Sequence, residues 1–313
     1  MLIKDLRIFL DLAKSLHFGR TSKHWHVSAS SLTRLIQKLE DEVGEALFER
    51  DNRTVRLTPV GELFRAFAQD TTSAWETLSS RVQQQAGTLR GNLSVFCSVT
   101  ASYYFLQELL DEFRAHYPQV EIQLHTGDTA LTIERILSEH EDIGIAARPD
   151  RIPGNLMFKP IGTSPLVFIA ATGGPLQTRV NHCLESGGLL PWGELPMVVS
   201  ETGLGRSRVD DWFRNQGIKP RIYAQVTGNE AIVSMVRLGF GIGVVPQLVV
   251  EHSPMRGKVA VLPLKPALEP FLIGICTLRR KLGNPTIRAF WDLVPDPAVA
   301  EGVNPHSPPL QAL

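Results

Sequence analysis

Acidic residues are missing from one stretch of a chain that is otherwise balanced in charge. The 313 residues carry 32 Lys and Arg against 32 Asp and Glu, yet no carboxylate lies between Asp11 and Glu40. A positive face in a neutral protein is typical of contact with nucleic-acid phosphate, although chance clustering on a solvated surface is an alternative. The basic residues and histidines of this window are Lys14, His17, Arg20, Lys23, His24, His26, Arg34 and Lys38.

Long apolar runs and paired cysteines are missing too. No segment approaches the ~18 apolar residues of a membrane span, and the N-terminus lacks the small-residue cleavage site of a secretory signal. Cys97, Cys183 and Cys276 show no paired spacing. Cys97 and Cys276 lie in apolar strand-like runs, where a buried, unreactive thiol is expected. We therefore expect a cytoplasmic protein with no membrane partner.

Enzyme motifs are absent as well. The Gly239-x-Gly241-x-Gly243 pattern is too short for a dinucleotide loop and precedes a strand instead of a helix. There is no Gly-x-Ser-x-Gly elbow, and the nine histidines show no metal-ligand spacing. A peroxide sensor would need two nearby cysteines, and Cys183 has none beside it. We therefore expect neither an enzyme nor a metal site.

The N-terminal pattern predicts a helix-turn-helix module. A first short helix carries apolar residues from Leu6 to Ala13, and a second covers residues 21–26. Ser28 is the predicted N-cap of a third helix that ends at Gly44. Its predicted buried stripe is Leu32, Leu35, Ile36 and Leu39. Its predicted exposed stripe is Ser30, Ser31, Thr33, Arg34, Gln37 and Lys38.

A basic hairpin and a long helix are predicted next. Residues 47–50 and 54–57 read as short strands joined at residues 51–53, which gives a wing bearing Arg50, Arg53 and Arg56. Ordinary turn charges are the alternative for Arg53 and Arg56. Thr58 and Pro59 suit the cap and first position of a helix that lasts to about Gln85. Its 3.5-residue apolar stripe predicts a partner helix, or else packing on its own domain. The stripe consists of Val60, Phe64, Phe67, Thr71, Ala74 and Leu78.

Beyond a boundary at residues 87–91, strands alternate with helices, which predicts parallel sheets flanked by helices. The proline-rich end of the chain is predicted to be a loose tail. The predicted strands are residues 93–98, 120–125, 143–147, 166–170, 197–200, 223–226, 242–245 and 271–276. The predicted helices are residues 103–116, 131–139, 206–216, 230–238 and 285–293.

These motifs resemble a known family. Residues 27–40, then Gly44, residues 47–50 and residues 57–61, resemble the N-terminal signature of LysR-type transcriptional regulators. The remainder, to about Val294, is similar to the effector domain of that family. The resemblance implies an α/β protein with a winged helix-turn-helix, a dimerising linker helix and a two-lobed, periplasmic-binding-protein-like effector domain. The implied segments are residues 1–58, linker 59–90, first lobe 91–161 plus 268–294, second lobe 162–267 and tail 295–313.

Three segments are similar to one branch of that family. Residues 96–101, 230–236 and 289–291 resemble regulators that activate the gene for acetohydroxy-acid isomeroreductase in branched-chain amino acid synthesis. That implies no cofactor but a small anionic co-inducer, acetolactate or acetohydroxybutyrate. It also implies double-stranded promoter DNA, RNA polymerase and a second copy of the chain, as dimer or tetramer, as partners. A regulator of another pathway with a different small-anion effector is the alternative.

Two sets of candidate site residues follow. At the third helix, hydroxyls suit phosphate oxygens, and Arg34 and Gln37 can reach base edges. At the effector domain, hydroxyls and amides at strand ends suit a small anion, with Arg148 as countercharge or as a surface residue. The DNA candidates are Ser28, Ser30, Ser31, Thr33, Arg34, Gln37, Lys38, Arg50, Arg53 and Arg56. The effector candidates are Ser98, Thr100, Ala101, Ser102, Asp128, Arg148, Ser200, Thr202, Thr227 and Gly228.

Overall fold

The computed structural model describes residues 1–50, 54–85, 89–186 and 190–295. The chain divides into two compact units, Met1–Gly87 and Thr88–Leu313. No helix among the described residues is long and apolar enough to cross a membrane.

The first unit is helical with a small hairpin. Phe9 is fully buried at its centre, where its ring meets Phe48 at 5.4 Å and Phe64 at 4.8 Å between centroids. Strands β1 (Phe48–Arg50) and β2 (Val55–Leu57) pair antiparallel, which confirms the predicted hairpin. Its elements are α1 (Ile3–Ser15), α2 (Phe18–His24), α3 (Ala29–Val43), β1 (Phe48–Arg50), β2 (Val55–Leu57) and α4 (Pro59–Gln85).

The predicted helix ends of this unit are largely confirmed. The Ser28 hydroxyl caps α3 by accepting the Ser31 amide, and Gly44 ends it with φ 84°. Thr58 Oγ1 accepts the Gly61 amide at 2.8 Å at the start of α4. The predicted start of α2 was wrong, because the helix begins at Phe18 instead of residue 21. The His17 ring accepts the Arg20 amide there, a cap that apolar periodicity does not reveal.

The apolar stripe of α4 was predicted either to meet a partner helix or to pack on its own domain, and its two ends differ in this respect. Phe64 is buried against Phe9 in its own unit. Phe67 and Leu78 are 47% and 54% exposed. The stripe therefore packs on its own unit at its first turns and is uncovered further along the helix.

In the described residues, the second unit contains two mixed sheets of five strands each. We name each sheet, together with the helices that pack on it, the first lobe and the second lobe. The first-lobe sheet has the order β4-β3-β5-β12-β6, and the second-lobe sheet has the order β11-β7-β10-β8-β9. The first-lobe strands are β3 (Gly91–Cys97), β4 (Val120–Thr126), β5 (Ile143–Ala147), β6 (Leu156–Ser164) and β12 (Phe271–Leu278). The second-lobe strands are β7 (Leu166–Ala171), β8 (Pro196–Ser200), β9 (Arg221–Val226), β10 (Ile242–Pro246) and β11 (Val259–Leu262).

Helices cover these sheets. In the first lobe they are α5 (Val99–Ala101), α6 (Gln107–His116), α7 (Thr132–Leu137) and α12 (Pro285–Leu293). In the second lobe they are α8 (Pro175–Glu185), α9 (Gly203–Asn215), α10 (Asn229–Arg237) and α11 (Gln247–Glu251). A π-helical turn, Ser102–Leu106, joins α5 to α6, so the helix predicted from residue 103 begins earlier, at Val99.

The prediction of parallel sheets is confirmed for part of each sheet only, since β3 pairs parallel with β4 and β5, and β8 pairs parallel with β9 and β10. In each lobe the parallel strands are joined by antiparallel ones, because β12 runs against β5 and β6, and β7 runs against β10 and β11. Alternation of strands and helices does not show the direction in which a strand such as β7 or β12 enters its sheet. Strands β6 and β11 and helices α8 and α11 were not predicted either. Strand β6 continues to Ser164, past residue 161 where the first lobe was expected to end.

Candidate functional site

The start of α3 exposes a cluster of hydroxyls. Ser28 Oγ lies 2.9 Å from Ser30 Oγ and 2.8 Å from Ser31 Oγ, and all three residues are exposed. The first turn of a helix also has free backbone N–H groups and the positive end of the helix dipole. The arrangement suits phosphate oxygens.

The polar face continues along the same helix. Arg34 and Gln37 are exposed, and together with Ser30 they follow the i, i+4, i+7 spacing of one helix face. Thr33 is half-buried at the side of that face. Leu32 and Ile36 are fully buried on the opposite side and anchor the helix to the core. The face can therefore project a guanidinium and an amide into a groove while its reverse side holds it rigidly.

Two of the basic side chains in the acid-free window have acidic neighbours. The Lys38 ammonium lies 3.9 Å from Asp5 and 3.8 Å from Glu42. His24 Nδ1 lies 3.0 Å from Asp11. These carboxylates offset part of the positive charge of Lys38 and His24.

The predicted wing is described only in part. Arg56 is exposed in β2, where it lies opposite Glu49 on β1. Arg53 and the side chain of Arg50 lie outside the described residues.

The second unit contains a cavity of about 40 Å³ between its lobes. The first lobe lines it with Ser98, Ala101, Phe105 and Thr129, and the second lobe with Asn229. Its remaining walls are apolar: Ile145, Ala146, Ala147, Pro246, Leu248, Val249, Phe271 and Ile273. A few polar groups in an apolar cleft are typical of a small-molecule site.

The hydroxyls at the start of α5 have different partners. Ser98 is 7% exposed, and its hydroxyl caps the helix by accepting the Ala101 amide at 3.1 Å. Thr100 donates its backbone N–H at 3.1 Å and its hydroxyl at 2.7 Å to Glu230 Oε1 of the second lobe. The cap of this helix is therefore Ser98, and the donors of Thr100 are directed to the second lobe.

The other first-lobe candidates are Ser102, Asp128 and Arg148. They are not among the described residues that line the cavity. The Ser102 hydroxyl donates to Val99 O at 2.7 Å. Asp128 accepts the Ala130 amide at 3.0 Å. Arg148 is exposed, and its backbone N–H is bonded to Leu272 O.

The second-lobe candidates lie where strands end. Thr227 donates its hydroxyl to Glu201 at 3.1 Å, and Gly228 takes φ 87° before α10. Ser200 accepts a bond from Arg206 through its backbone oxygen, and Thr202 is exposed before α9. Among the candidates, Ser98 and Ala101 line the cavity, Thr100 lies between them in sequence, and Gly228 adjoins Asn229.

Three residues at the cleft, Phe105, Asn229 and Glu230, were not among the candidates predicted from sequence. The π-helical turn includes Phe105, whose ring lies on the cavity wall. A glutamate in the first turn of a helix is usually explained by the helix dipole. Nothing in the sequence therefore indicated that Glu230 contacts the first lobe.

The thiols are set apart from this site's chemistry. Burial raises the pKa of Cys97 and of Cys276 to about 12, so both stay protonated at neutral pH. That confirms the expectation of buried, unreactive thiols. Within the described part of the chain, no group of His, Cys, Asp and Glu could hold a metal ion.

Comparisons with known proteins match both units. Residues 3–62 match the family of bacterial regulatory helix-turn-helix proteins of the lysR family, and residues 86–297 match the LysR substrate binding domain. The HTH-type transcriptional regulator IlvY of Escherichia coli (strain K12) is 42% identical over 298 residues, covering 94% of this chain and 99% of that protein. The HTH-type transcriptional activator IlvY of Haemophilus influenzae is 41% identical, covering 93% and 98%.

Solved structures agree on the fold. A full-length variant of OxyR from Pseudomonas aeruginosa has a TM-score of 0.66 at 25% identity, covering 94% of this chain and 93% of that one. These likenesses confirm the expected fold class, a helix-turn-helix followed by a two-lobed α/β domain, and the expectation of a DNA-binding regulator instead of an enzyme. The chain belongs to the LysR family of helix-turn-helix transcriptional regulators, among the activators similar to IlvY.

Proposed function

We propose that the chain activates the gene for acetohydroxy-acid isomeroreductase when acetolactate or acetohydroxybutyrate binds between its lobes. The observation that carries the effector assignment is the bonding of Thr100. Its N–H and hydroxyl donate to a carboxylate oxygen, which is the group that an acetohydroxy acid would present. The hydroxyl and ketone of the effector would meet Ser98 and Asn229 beside an apolar wall.

Recognition of promoter DNA is assigned to the α3 face and the wing. Ser28, Ser30, Ser31 and Thr33 would bond phosphate oxygens, while Arg34 and Gln37 would reach base edges in the major groove. Lys38, Arg50, Arg53 and Arg56 would follow the sugar-phosphate backbone. The exposure of Arg34 and Gln37 above a buried apolar stripe supports this division.

The remaining effector candidates form an outer ring in this proposal. Ser102, Asp128, Arg148, Ser200, Thr202, Thr227 and Gly228 lie at helix starts and strand ends, so we assign them to an opened cleft. Arg148, which is exposed, would supply the countercharge there.

Self-association is assigned to the uncovered face of α4. Its exposed side chains Leu63, Phe67, Trp75, Leu78 and Val82 are more apolar than a solvated helix requires. A second copy of α4 would bury them and present two α3 helices to successive half-sites. Pairing of such dimers into a tetramer, with contact to RNA polymerase, would let the effector change the bend of the promoter and activate transcription.

A mobility shift and footprint on the isomeroreductase promoter tests the proposal. Salt-sensitive binding is expected in all conditions, with a footprint that changes when acetolactate is added. The transcription of that gene should rise with acetolactate in a purified system. Binding without any response to acetolactate or acetohydroxybutyrate would leave a regulator with a different small-anion effector.

A further inference from the structure

A carboxylate of the second lobe lies on the helix start of the first lobe. Glu230 Oε1 accepts both the N–H and the hydroxyl of Thr100, across a separation of 130 residues. Glu230 belongs to the first turn of α10. The neighbours of this pair, Ala101 and Asn229, line the cavity, so the contact lies at its edge.

The bonding capacity of Thr100 makes this contact exclusive. Thr100 has one backbone N–H and one hydroxyl proton, and Glu230 uses both. An effector carboxylate that approached Thr100 would therefore meet occupied donors and a like charge. It has to displace Glu230 to gain the charge-assisted bonds that this position offers.

We propose that Glu230 is an internal ligand of the effector site. Without effector, its carboxylate joins the two lobes through Thr100, and the carboxylate of an anionic effector replaces it when the effector binds. The inference rests on the proposed function, since it concerns the anion of that same site. Glu230 thereby sets the effector threshold and favours anionic ligands over neutral ones, which form weaker bonds with these donors.

Other contacts keep the lobes joined when Glu230 leaves. Arg208 of the second lobe is bonded to Asp150 of the first at 2.7 Å and to Glu269, which precedes β12, at 2.6 Å. A Cβ placed on Gly203 of α9 would lie 2.7 Å from Ala130 Cβ of the first lobe. Neither contact involves Thr100, so displacement of Glu230 releases one connection and leaves the lobes able to hinge.

The test compares two full-length variants with the same loss of charge. Glu230→Gln keeps the size of the side chain and an acceptor oxygen but removes the carboxylate. Glu251→Gln is the matched control, because Glu251 lies in α11 of the same lobe and accepts from Gln247 within that helix at 2.7 Å. Calorimetric titration with acetolactate should show about five- to tenfold tighter binding by Glu230→Gln and no change in the control. Unchanged or weaker binding by Glu230→Gln overturns the inference.

A second measurement needs no effector. Hydrogen exchange at the Thr100 amide of the ligand-free protein should be several-fold faster in Glu230→Gln than in wild type or Glu251→Gln. In a Thr100→Val background, Glu230→Gln should change effector affinity less, because the two residues act through one contact. If none of these proteins binds acetolactate, the proposed effector fails while exchange still decides the inference. Equal exchange in wild type and Glu230→Gln contradicts it.

Discussion

Two helix starts in this chain carry the same kind of sequence and end in different surroundings. Both begin with a serine cap, Ser28 in one and Ser98 in the other, followed by further hydroxyl residues. At α3 the hydroxyls are exposed and bond only one another and their own backbone among the contacts described. At α5 the cap is buried and Thr100 is bonded to Glu230. One local chemistry therefore serves an open anion site or an occupied one, depending on what the fold brings opposite it.

The largest expected effect comes from removing the support of the open site. Phe9→Ala should lower the free energy of unfolding of the first unit by about 3–5 kcal/mol, because Phe9 is fully buried between Phe48 and Phe64. DNA binding should be lost together with the thermal transition of that unit. Phe67→Ala, at a side chain 47% exposed, should leave the fold intact and weaken self-association in sedimentation experiments. A full thermal transition in Phe9→Ala would show that α3 does not depend on this core.

A methyl group added at Gly203 tests how closely the two lobes of the second unit pack at Ala130. Gly203→Ala should cost about 1–2 kcal/mol in backbone strain at φ 85°, plus about 1–3 kcal/mol from the clash with Ala130. Gly173→Ala isolates the strain, since Gly173 has φ 68° and nothing within 4 Å of its added Cβ. Chemical denaturation should find Gly203→Ala clearly less stable than Gly173→Ala. Equal losses of stability in the two variants would mean that the backbone at Ala130 shifts to accept the methyl group without a loss of free energy.

Arg34→Ala tests whether the exposed face of α3 reads bases in the DNA. A guanidinium that bonds a base edge contributes about 1–3 kcal/mol of discrimination, so the variant should bind operator and unrelated DNA more nearly alike. Arg56→Ala should instead weaken all DNA to a similar degree and reduce the salt slope of log K by about 0.9. Competition binding at several salt concentrations separates the two. Retained discrimination in Arg34→Ala would remove Arg34 from the base-reading set.

A smaller effect tests the caps themselves. Ser28→Ala should destabilise the first unit by about 1 kcal/mol, because the Ser31 amide loses its acceptor. Ser30→Ala, at an exposed residue, should leave the melting temperature unchanged while lowering DNA affinity. If Ser28→Ala melted like wild type, the cap would contribute nothing to stability.

The smallest expected effect is that the thiol of Cys97, which directly precedes Ser98, is not alkylated in the folded protein. Burial raises the pKa of Cys97 to about 12, so its thiolate is scarce at neutral pH and alkylation of the folded protein should spare it. Cys276, with its pKa raised to about 12, should be spared as well. Cys183, which is only half-buried, should react first in a mass-spectrometric time course. Early labelling of Cys97 would indicate that the cleft opens down to β3.

Prediction of elements from the sequence succeeded where the signal was local. The span of α3, with Ser28 and Gly44 at its ends, follows from capping and periodicity, and so does α12 at Pro285–Leu293. The predicted direction was wrong for β12, which joins the first-lobe sheet only after the whole second lobe has been traced. Pairing between strands that are so far apart in the sequence leaves no local periodicity to detect.

The family, the α3 helix and the polar face that this helix exposes could all be inferred from the order of residues, because caps, apolar spacing and charge act over a few positions. The partner of Thr100 and the enclosure of the cavity emerged only from the folded chain. A hydrogen bond between Thr100 and Glu230 depends on two chain segments folding into separate lobes and closing on each other. Such a meeting depends on the packing of the whole second unit, and no local pattern encodes it.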